Sequence, residues 1–422
     1  MSFALMTDRY ELTMLQAALR SGKADRECVF EVFTRQLPAG RRYGVFAGVG
    51  RVLDAVTNFT FSKAELEYLR QQSVVDDETL GWLAGYKFSG SISGYREGEI
   101  YFANSPVMSV RGTFAEAVLL ETVILSILNY DSAVASAASR MHTAAAGRSL
   151  AEMGARRAHE SAAVAAARAA YIAGFDATSN LEAGRSWGIP TMGTSAHSFT
   201  LLHDTEKEAF EAQIASMGPD TTLLVDTYDI PKAVQMAVEL TGGEVAAVRI
   251  DSGDLGSTAV EVRAQLDQLG AKKTKIVVTS DLDEYTIAAL SSSPVDRYGV
   301  GTSLVTGSGH PTAGFVYKLV AHSDGDGWSE VAKTSKSKTN RGGAKIASRL
   351  IESGVATAEL VGSDKGRRLQ VELMSSGLSN EQYLGPSGVL LAKDHHLMAK
   401  LELPRSALRL SKGDAAIPTV FS

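Results

Sequence analysis

Between residues 221 and 301 a short apolar run is followed three times by a helical stretch, and a fourth run closes the series. TTLLVD (221–226) precedes a helical stretch at 231–240, VAAVRID (245–251) precedes one at 258–269, and KIVVTS (275–280) precedes one at 284–290; the last run is 296–301. Strands apolar on both faces and separated by helices imply a parallel sheet covered on both sides, hence an α/β fold. A βα barrel and a doubly wound open sheet both satisfy this pattern. Polar residues hold a fixed place in it, because Asp226, Asp251 and Ser280 each end their run. In a βα barrel that edge of the sheet is the active-site face.

The rest of the chain divides around this series. Residues 1–112 mix types: 28–34, 89–95 and 107–112 read as strands, and 63–72 reads as a helix with Ser62 as its N-cap. Residues 114–174 are helical in character, with a nearly unbroken alanine-rich run at 158–173. Residues 321–345 are loop-like and basic, and strands and turns return from 350 onward. The expected organisation is an N-terminal α/β domain over 1–112, a βα barrel with a helical lead-in over 113–320, and a segment over 321–422 that returns to the first domain. A chain of 422 residues is long enough for this. The net charge of −6 argues against a nucleic-acid or anionic-membrane partner. The single cysteine, Cys28, excludes an intrachain disulfide and a multi-cysteine zinc site. The longest apolar segment, 115–128, is interrupted by Glu116 and Glu121 and is too short to span a bilayer. The start of the chain shows no basic segment leading into an apolar one, so a cytoplasmic location is expected.

Five stretches carry groups suited to chemistry. In VRIDSGD (248–254) Arg249 and Asp251 share one face of a strand, since successive side chains alternate. Such a pair is either a buried ion pair or a working one, and the polar turn that follows favours the second. GTSAHSF (193–199) surrounds His197 with small residues, so backbone amides and a large ligand can come close. YGVGTS (298–303), with Gly299, Gly301 and Thr302, is a glycine-rich turn in the part of a barrel where phosphates are often held on backbone amides. MGARR (153–157) sets Arg156 and Arg157 ahead of the alanine-rich run, where a helix N-terminus favours anions. Lys333, Lys336, Lys338, Arg341 and Lys345 form either a solvated loop or a flap over a polyphosphate, hinged at Gly342 and Gly343. Together they describe a rim suited to a phosphorylated sugar and a magnesium ion.

These strings resemble, in order, those of the nicotinate phosphoribosyltransferases of the shorter bacterial type. TDRYELTM (7–14), FEVFTRQLPAGRRYGVFAG (30–48), MGARRAHE (153–160), FDATSNLEAG (175–184), GTSAHSF (193–199), VDTYD (225–229), VRIDSGDL (248–255) and DRYGVGTSL (296–304) carry the likeness over nearly the whole chain. The resemblance implies a homodimer of subunits that each hold an incomplete TIM-like βα barrel and a second, sandwich-like α/β domain formed from both chain ends. It implies transfer of the phosphoribosyl group of PRPP to nicotinate, giving nicotinate mononucleotide and pyrophosphate, with ATP as co-substrate through a phosphohistidine that maps to His197. By the same likeness Asp226 and Asp251 contact the ribose and hold Mg2+, while Arg156 and Arg249 contact phosphate and the pyridine-side substrate. Gly299, Gly301 and Thr302 receive the sugar phosphate, and Tyr10 stacks on the pyridine ring from the neighbouring subunit. Many relatives have Phe where this chain has Met153, which changes one wall of the ring pocket. Nicotinamide-using relatives carry an acidic residue near 178–179. Here Ser179 and Asn180 are neutral and do not repel a carboxylate, which favours nicotinate.

Other readings make different demands. Quinolinate, with a second carboxylate, needs extra basic residues in the pocket. A phosphosugar aldolase or isomerase needs a Schiff-base lysine or a general base where this chain has Asp226, Asp251 and Ser280. A nucleotide sensor on the same scaffold differs in releasing no pyrophosphate.

Overall fold

The computed structural model describes residues 3–323, 325, 327–335, 338–339 and 341–422, the side chains of 334, 335, 338 and 339 excepted. Two compact units emerge: residues 137–309 form one, and 1–136 with 310–422 form the other. The breaks therefore fall at 136 and 309, whereas the sequence suggested 112 and 320. The first break lies inside the continuous helix Glu121–Ala145, which has no breaker to mark it. The second precedes the strand Phe315–Ser323, which pairs antiparallel along the length of Glu27–Thr34 and so belongs with the N-terminal residues.

The unit 137–309 is built on six strands: β1 (Ser149–Glu152), β2 (Ala177–Thr178), β3 (Thr222–Leu224), β4 (Ala247–Ile250), β5 (Lys275–Val278) and β6 (Arg297–Val300). Their order is β2-β1-β6-β5-β4-β3, and every pairing is parallel. Each strand but one lies beside its successor in sequence, and β6 returns to β1. That is the order of a barrel cut once, between β2 and β3. At the cut an isolated parallel bridge joins Thr178 to Thr191. The fold is thus an incomplete βα barrel. Its strands are apolar as a doubly covered sheet requires: Val248, Ile250, Ile276 and Val278 have no exposed surface.

Three details differ from the sequence reading. The stretch 114–174 is not helical throughout, because β1 opens the barrel within it. Four residues between alanine-rich runs leave no periodic signal. The helix expected at 258–269 spans Leu255–Gln268, since the Asp254 carboxylate accepts the Ser257 N–H at 3.0 Å and caps it earlier. The C-terminal segment holds a helix, Gly385–Leu401, among its strands.

The other unit centres on a seven-stranded sheet in the order Trp328–Glu330, Phe315–Ser323, Glu27–Thr34, Met108–Thr113, Ser91–Tyr95, Gln370–Ser375, Leu378–Ser379, with antiparallel pairings throughout. A second sheet of four strands includes Ala347–Glu352, Val355–Val361 and Thr419–Phe421. The helix Lys63–Gln71 forms as expected, with Ser62 and Glu65 closing a capping box. Buried Arg349 is paired with Glu99 and Glu359, each at 2.7 Å, so its charge is not stranded. Among the described residues no helix is long and apolar enough to cross a membrane.

Candidate active site

His197 is the first residue of a short helix, His197–Leu202, that follows the bridge at the barrel's cut. Its Nε2 lies 3.9 Å from Asp226 Oδ1 and 3.9 Å from Asp251 Oδ2, and its Nδ1 lies 3.1 Å from Thr227 Oγ1. Both carboxylates are thus close to the ring without hydrogen-bonding it. With a side chain 38% exposed, His197 remains open to a ligand.

The carboxylates are held by the strand ends. Asp226 lies two residues beyond β3 and its side chain is wholly buried. Its Oδ2 accepts the Asp251 N–H at 2.9 Å and the Ser252 hydroxyl at 2.6 Å, which ties the end of β3 to that of β4. Its Oδ1 is buried with no hydrogen-bond partner among the described residues. Such an oxygen costs free energy unless a cation or donor meets it. Asp251 directly follows β4, and its side chain is one-third exposed.

Arg249, on β4, projects to the same side as Asp251, as strand alternation requires. Its Nη1 donates to Thr194 Oγ1 at 2.6 Å and to the Ser195 carbonyl at 3.1 Å, and its Nε donates to Thr279 Oγ1 at 3.1 Å. Nη2 stands 3.7 Å from Asp251 Oδ1, too far for a hydrogen bond. Arg249 and Asp251 are therefore neighbours separated by a third residue rather than a closed ion pair.

The loops after β1 and β6 interlock. Met153 N–H donates to the Val300 carbonyl at 2.8 Å. A Cβ at Gly154 would come within 2.3 Å of Val305 Cγ1 and 2.9 Å of the Gly301 carbonyl oxygen. Gly301 forms the turn, and exposed Thr302 opens the helix Thr302–Val305. Gly299 lies inside β6 rather than in the turn. A Cβ there would meet Met153 Sδ and Thr279 Cγ2, both at 2.6 Å, so Gly299 packs the strand ends together. Arg156 is exposed on the turn Ala155–Arg157 that follows β1. Ser179 is exposed beyond β2, and its N–H donates to the Glu152 carbonyl at 2.9 Å.

Two residues here were not singled out from sequence. Glu152 ends β1 fully buried, accepting the Gly154 N–H and the Thr178 hydroxyl, and burial pushes its carboxyl up. Thr279 follows β5, accepts from Arg249 and donates to Asp251. Thr279 carried the signal already in use for Asp226 and Asp251, position at a strand's carboxyl end, whereas the short strand that ends in Glu152 left none.

Not every expected residue belongs to this unit. Tyr10 lies in the other, on the helix Arg9–Arg20, and is 44% exposed. Partial burial and the carboxylates of Glu121, Glu11 and Asp8 push its phenol up to about 12. Of the basic stretch, Lys336 lies outside the described residues, as does the side chain of Lys338. Lys345 pairs with buried Glu31 at 2.7 Å, and the Arg341 guanidinium sits 3.9 Å from the Phe421 ring centre. Lys345 is docked on its own unit, whereas Arg341 remains exposed beside that ring. Among the described residues no group of three or more His, Cys, Asp or Glu is arranged to hold a metal.

Family models match most of the chain: the nicotinate phosphoribosyltransferase N-terminal domain over residues 5–129, and the nicotinate phosphoribosyltransferase family over 148–347. A nicotinate phosphoribosyltransferase of Mycobacterium tuberculosis is 52% identical over 98% of this chain and 94% of its own length. The chain belongs to the nicotinate phosphoribosyltransferase family. A Bacillus subtilis nicotinate phosphoribosyltransferase is 37% identical over 76% of this chain and 67% of its own. The crystal structure of human nicotinic acid phosphoribosyltransferase superposes with a TM-score of 0.84 at 25% identity, covering 99% of this chain and 97% of that one. The match over 148–347 contains every strand of the barrel, and with them His197, Asp226, Arg249 and Asp251. The family's barrel is thus the part of this chain in which the candidate groups meet.

Proposed function

We propose that this enzyme transfers the phosphoribosyl group of PRPP to nicotinate, releasing pyrophosphate and supplying nicotinate mononucleotide for NAD synthesis, and that ATP hydrolysis is coupled to the transfer through phosphorylation of His197. The observation that carries the proposal is the placement of His197 Nε2 3.9 Å from each of two strand-end carboxylates. The names of the relatives agree with the nicotinate phosphoribosyltransferase part of it.

As pyrophosphate leaves the anomeric carbon, positive charge builds on the ribose. Asp226 and Asp251 meet it with negative charge already fixed by backbone and hydroxyl donors. The same pair suits Mg2+, which takes one or two carboxylates and completes its shell with water and substrate oxygens. The unpartnered Asp226 Oδ1 is the oxygen that fits this use. Held by these two carboxylates, Mg2+ would supply positive charge against the leaving pyrophosphate.

Arg249 keeps Nη2 for the pyridine carboxylate, since its other nitrogens are engaged by Thr279, Thr194 and Ser195. Arg156 serves the phosphates, and Gly301 and Thr302 receive the sugar phosphate, with Gly299 packing the strand beneath. Ser179 adds no charge next to the pyridine, so nicotinate is accepted. Tyr10 of the partner subunit covers the pyridine ring, which makes the working form a homodimer with shared sites. His197 takes the terminal phosphoryl group of ATP as ADP leaves. The phosphorylated form stabilises a closed, tightly binding state, so ATP helps a transfer that does not itself consume it.

The test is pyrophosphate release with PRPP and, in parallel, nicotinate, nicotinamide or quinolinate. Release with nicotinate well above the other two supports the proposal. Release that favours another pyridine reassigns the substrate, and no pyridine-dependent release points to a sensor.

A further inference from the structure

We infer that Thr279 is the positioning residue that sets the Arg249 guanidinium and the Asp251 carboxylate, and through Arg249 the preference for an anionic pyridine; this rests on the reading of the site given above. The hydroxyl's role follows from proton counting. Arg249 Nε–H can only donate, so at 3.1 Å Thr279 Oγ1 is its acceptor. The single hydroxyl hydrogen is then free for Asp251 Oδ1, which accepts it. One buried hydroxyl, on a residue 4% exposed, thus fixes a cation on one side and a carboxylate on the other.

The hydroxyl also keeps the two charges apart. Arg249 Nη2 and Asp251 Oδ1 are 3.7 Å apart on one strand face. Without Thr279 Oγ1 between them, a guanidinium and a carboxylate this close collapse into a direct pair. That pair would consume Nη2, which makes no hydrogen bond among the described residues and is the donor offered to a substrate carboxylate.

The rotamer is fixed from the other side. Thr279 Cγ2 fills the space that a Cβ at Gly299 would enter, 2.6 Å away, so the methyl has one place to go and the hydroxyl is aimed by it. Directly after it, Ser280 has φ 115°, a conformation that L residues rarely adopt and that persists only where the surroundings impose it. Threonine satisfies both demands at once. Valine keeps the shape and loses the hydroxyl; serine does the reverse.

The experiment compares wild type, Thr279→Val and Thr279→Ser as full chains with PRPP, ATP and Mg2+. Thr279→Val should lower kcat/KM for nicotinate on the order of tenfold or more, the loss of hydrogen bonds to charged groups. Most of the change should appear in KM, and nicotinamide should be affected less, so that selectivity falls. Thr279→Ser should recover most of the nicotinate activity while lowering the thermal midpoint, because it restores the hydroxyl and opens a void beside Gly299. Wild-type nicotinate KM and selectivity in Thr279→Val would overturn the inference. So would an equal decline on both substrates with a matching loss of stability. A crystal structure of Thr279→Val separates this from the functional reading itself. Closure of Nη2 onto Asp251 from 3.7 Å to hydrogen-bond distance supports positioning even if the wild type uses no pyridine, and an unchanged separation defeats it.

Discussion

Replacing Asp226 by asparagine separates chemistry from architecture at the centre of the site. The amide oxygen can take the place of Oδ2 and keep both bonds, to the Asp251 N–H and the Ser252 hydroxyl. Each changes from a charged-acceptor bond of about 1.5–3 kcal/mol to a neutral one of about 0.5–1.5 kcal/mol, a loss of roughly 2 kcal/mol for the two. Against this, the mutant no longer buries a charge whose Oδ1 is unpartnered, a saving of about 1–3 kcal/mol. The two nearly cancel. The thermal midpoint should therefore move by no more than ~2–4 °C for a unit of this size. Turnover has no such compensation, because the amide puts no negative charge beside the ribose. We expect kcat to fall about 100-fold or more, equivalent to ~2.7 kcal/mol of transition-state stabilisation. Pyrophosphate release at saturating PRPP and nicotinate, alongside differential scanning calorimetry, measures both. A midpoint lowered by more than about 8 °C with turnover close to wild type would make Asp226 structural and refute the reasoning.

Further outcomes follow from other parts of the molecule. Ser179→Asp should raise the nicotinate KM while changing that of nicotinamide little, by placing charge beside the pyridine carboxylate; equal effects would show that Ser179 does not face it. Tyr10→Ala and Asp226→Asn dimers should each be nearly inactive, yet mixed dimers should regain one intact site. No recovery once native mass spectrometry confirms exchange would exclude a shared site. Glu11, whose carboxyl burial raises from the ordinary 4.5 to about 7, should contribute stability below its ordinary range and lose it as pH rises through about 7. The wild-type thermal midpoint should then fall more than that of Glu11→Gln between about pH 5 and 8, and parallel curves would count against it.

The barrel was legible because its strands are apolar runs that end in polar residues. The runs at 245–251 and 275–280 became Ala247–Ile250 and Lys275–Val278, and alternation alone placed Arg249 beside Asp251. What stayed hidden depended on partners distant in sequence. Thr279 gains its meaning from Arg249 on one neighbouring strand and Gly299 on the other, and Ser280, the more visible residue, ended the run. Glu152 sits on a four-residue strand between alanine-rich stretches. The unit boundary at 309 is set by strands whose paired residues lie almost 300 positions apart, such as Val32 and Tyr317. The helix Gly385–Leu401 opens with Gly-Pro-Ser-Gly, which resembles a turn, although proline is well placed in a helix's first turn.

If His197 and the two carboxylates act as one centre, ATP labelled in its terminal phosphate reports it directly. Wild-type protein with Mg2+ should take up an acid-labile label on His197, lose it when PRPP and nicotinate are added, and form nicotinate mononucleotide as it does so. His197→Ala should take up none, and its transfer should no longer respond to ATP. Nicotinate mononucleotide formation with full ATP stimulation in His197→Ala, or in wild type with no label ever on His197, would contradict the account.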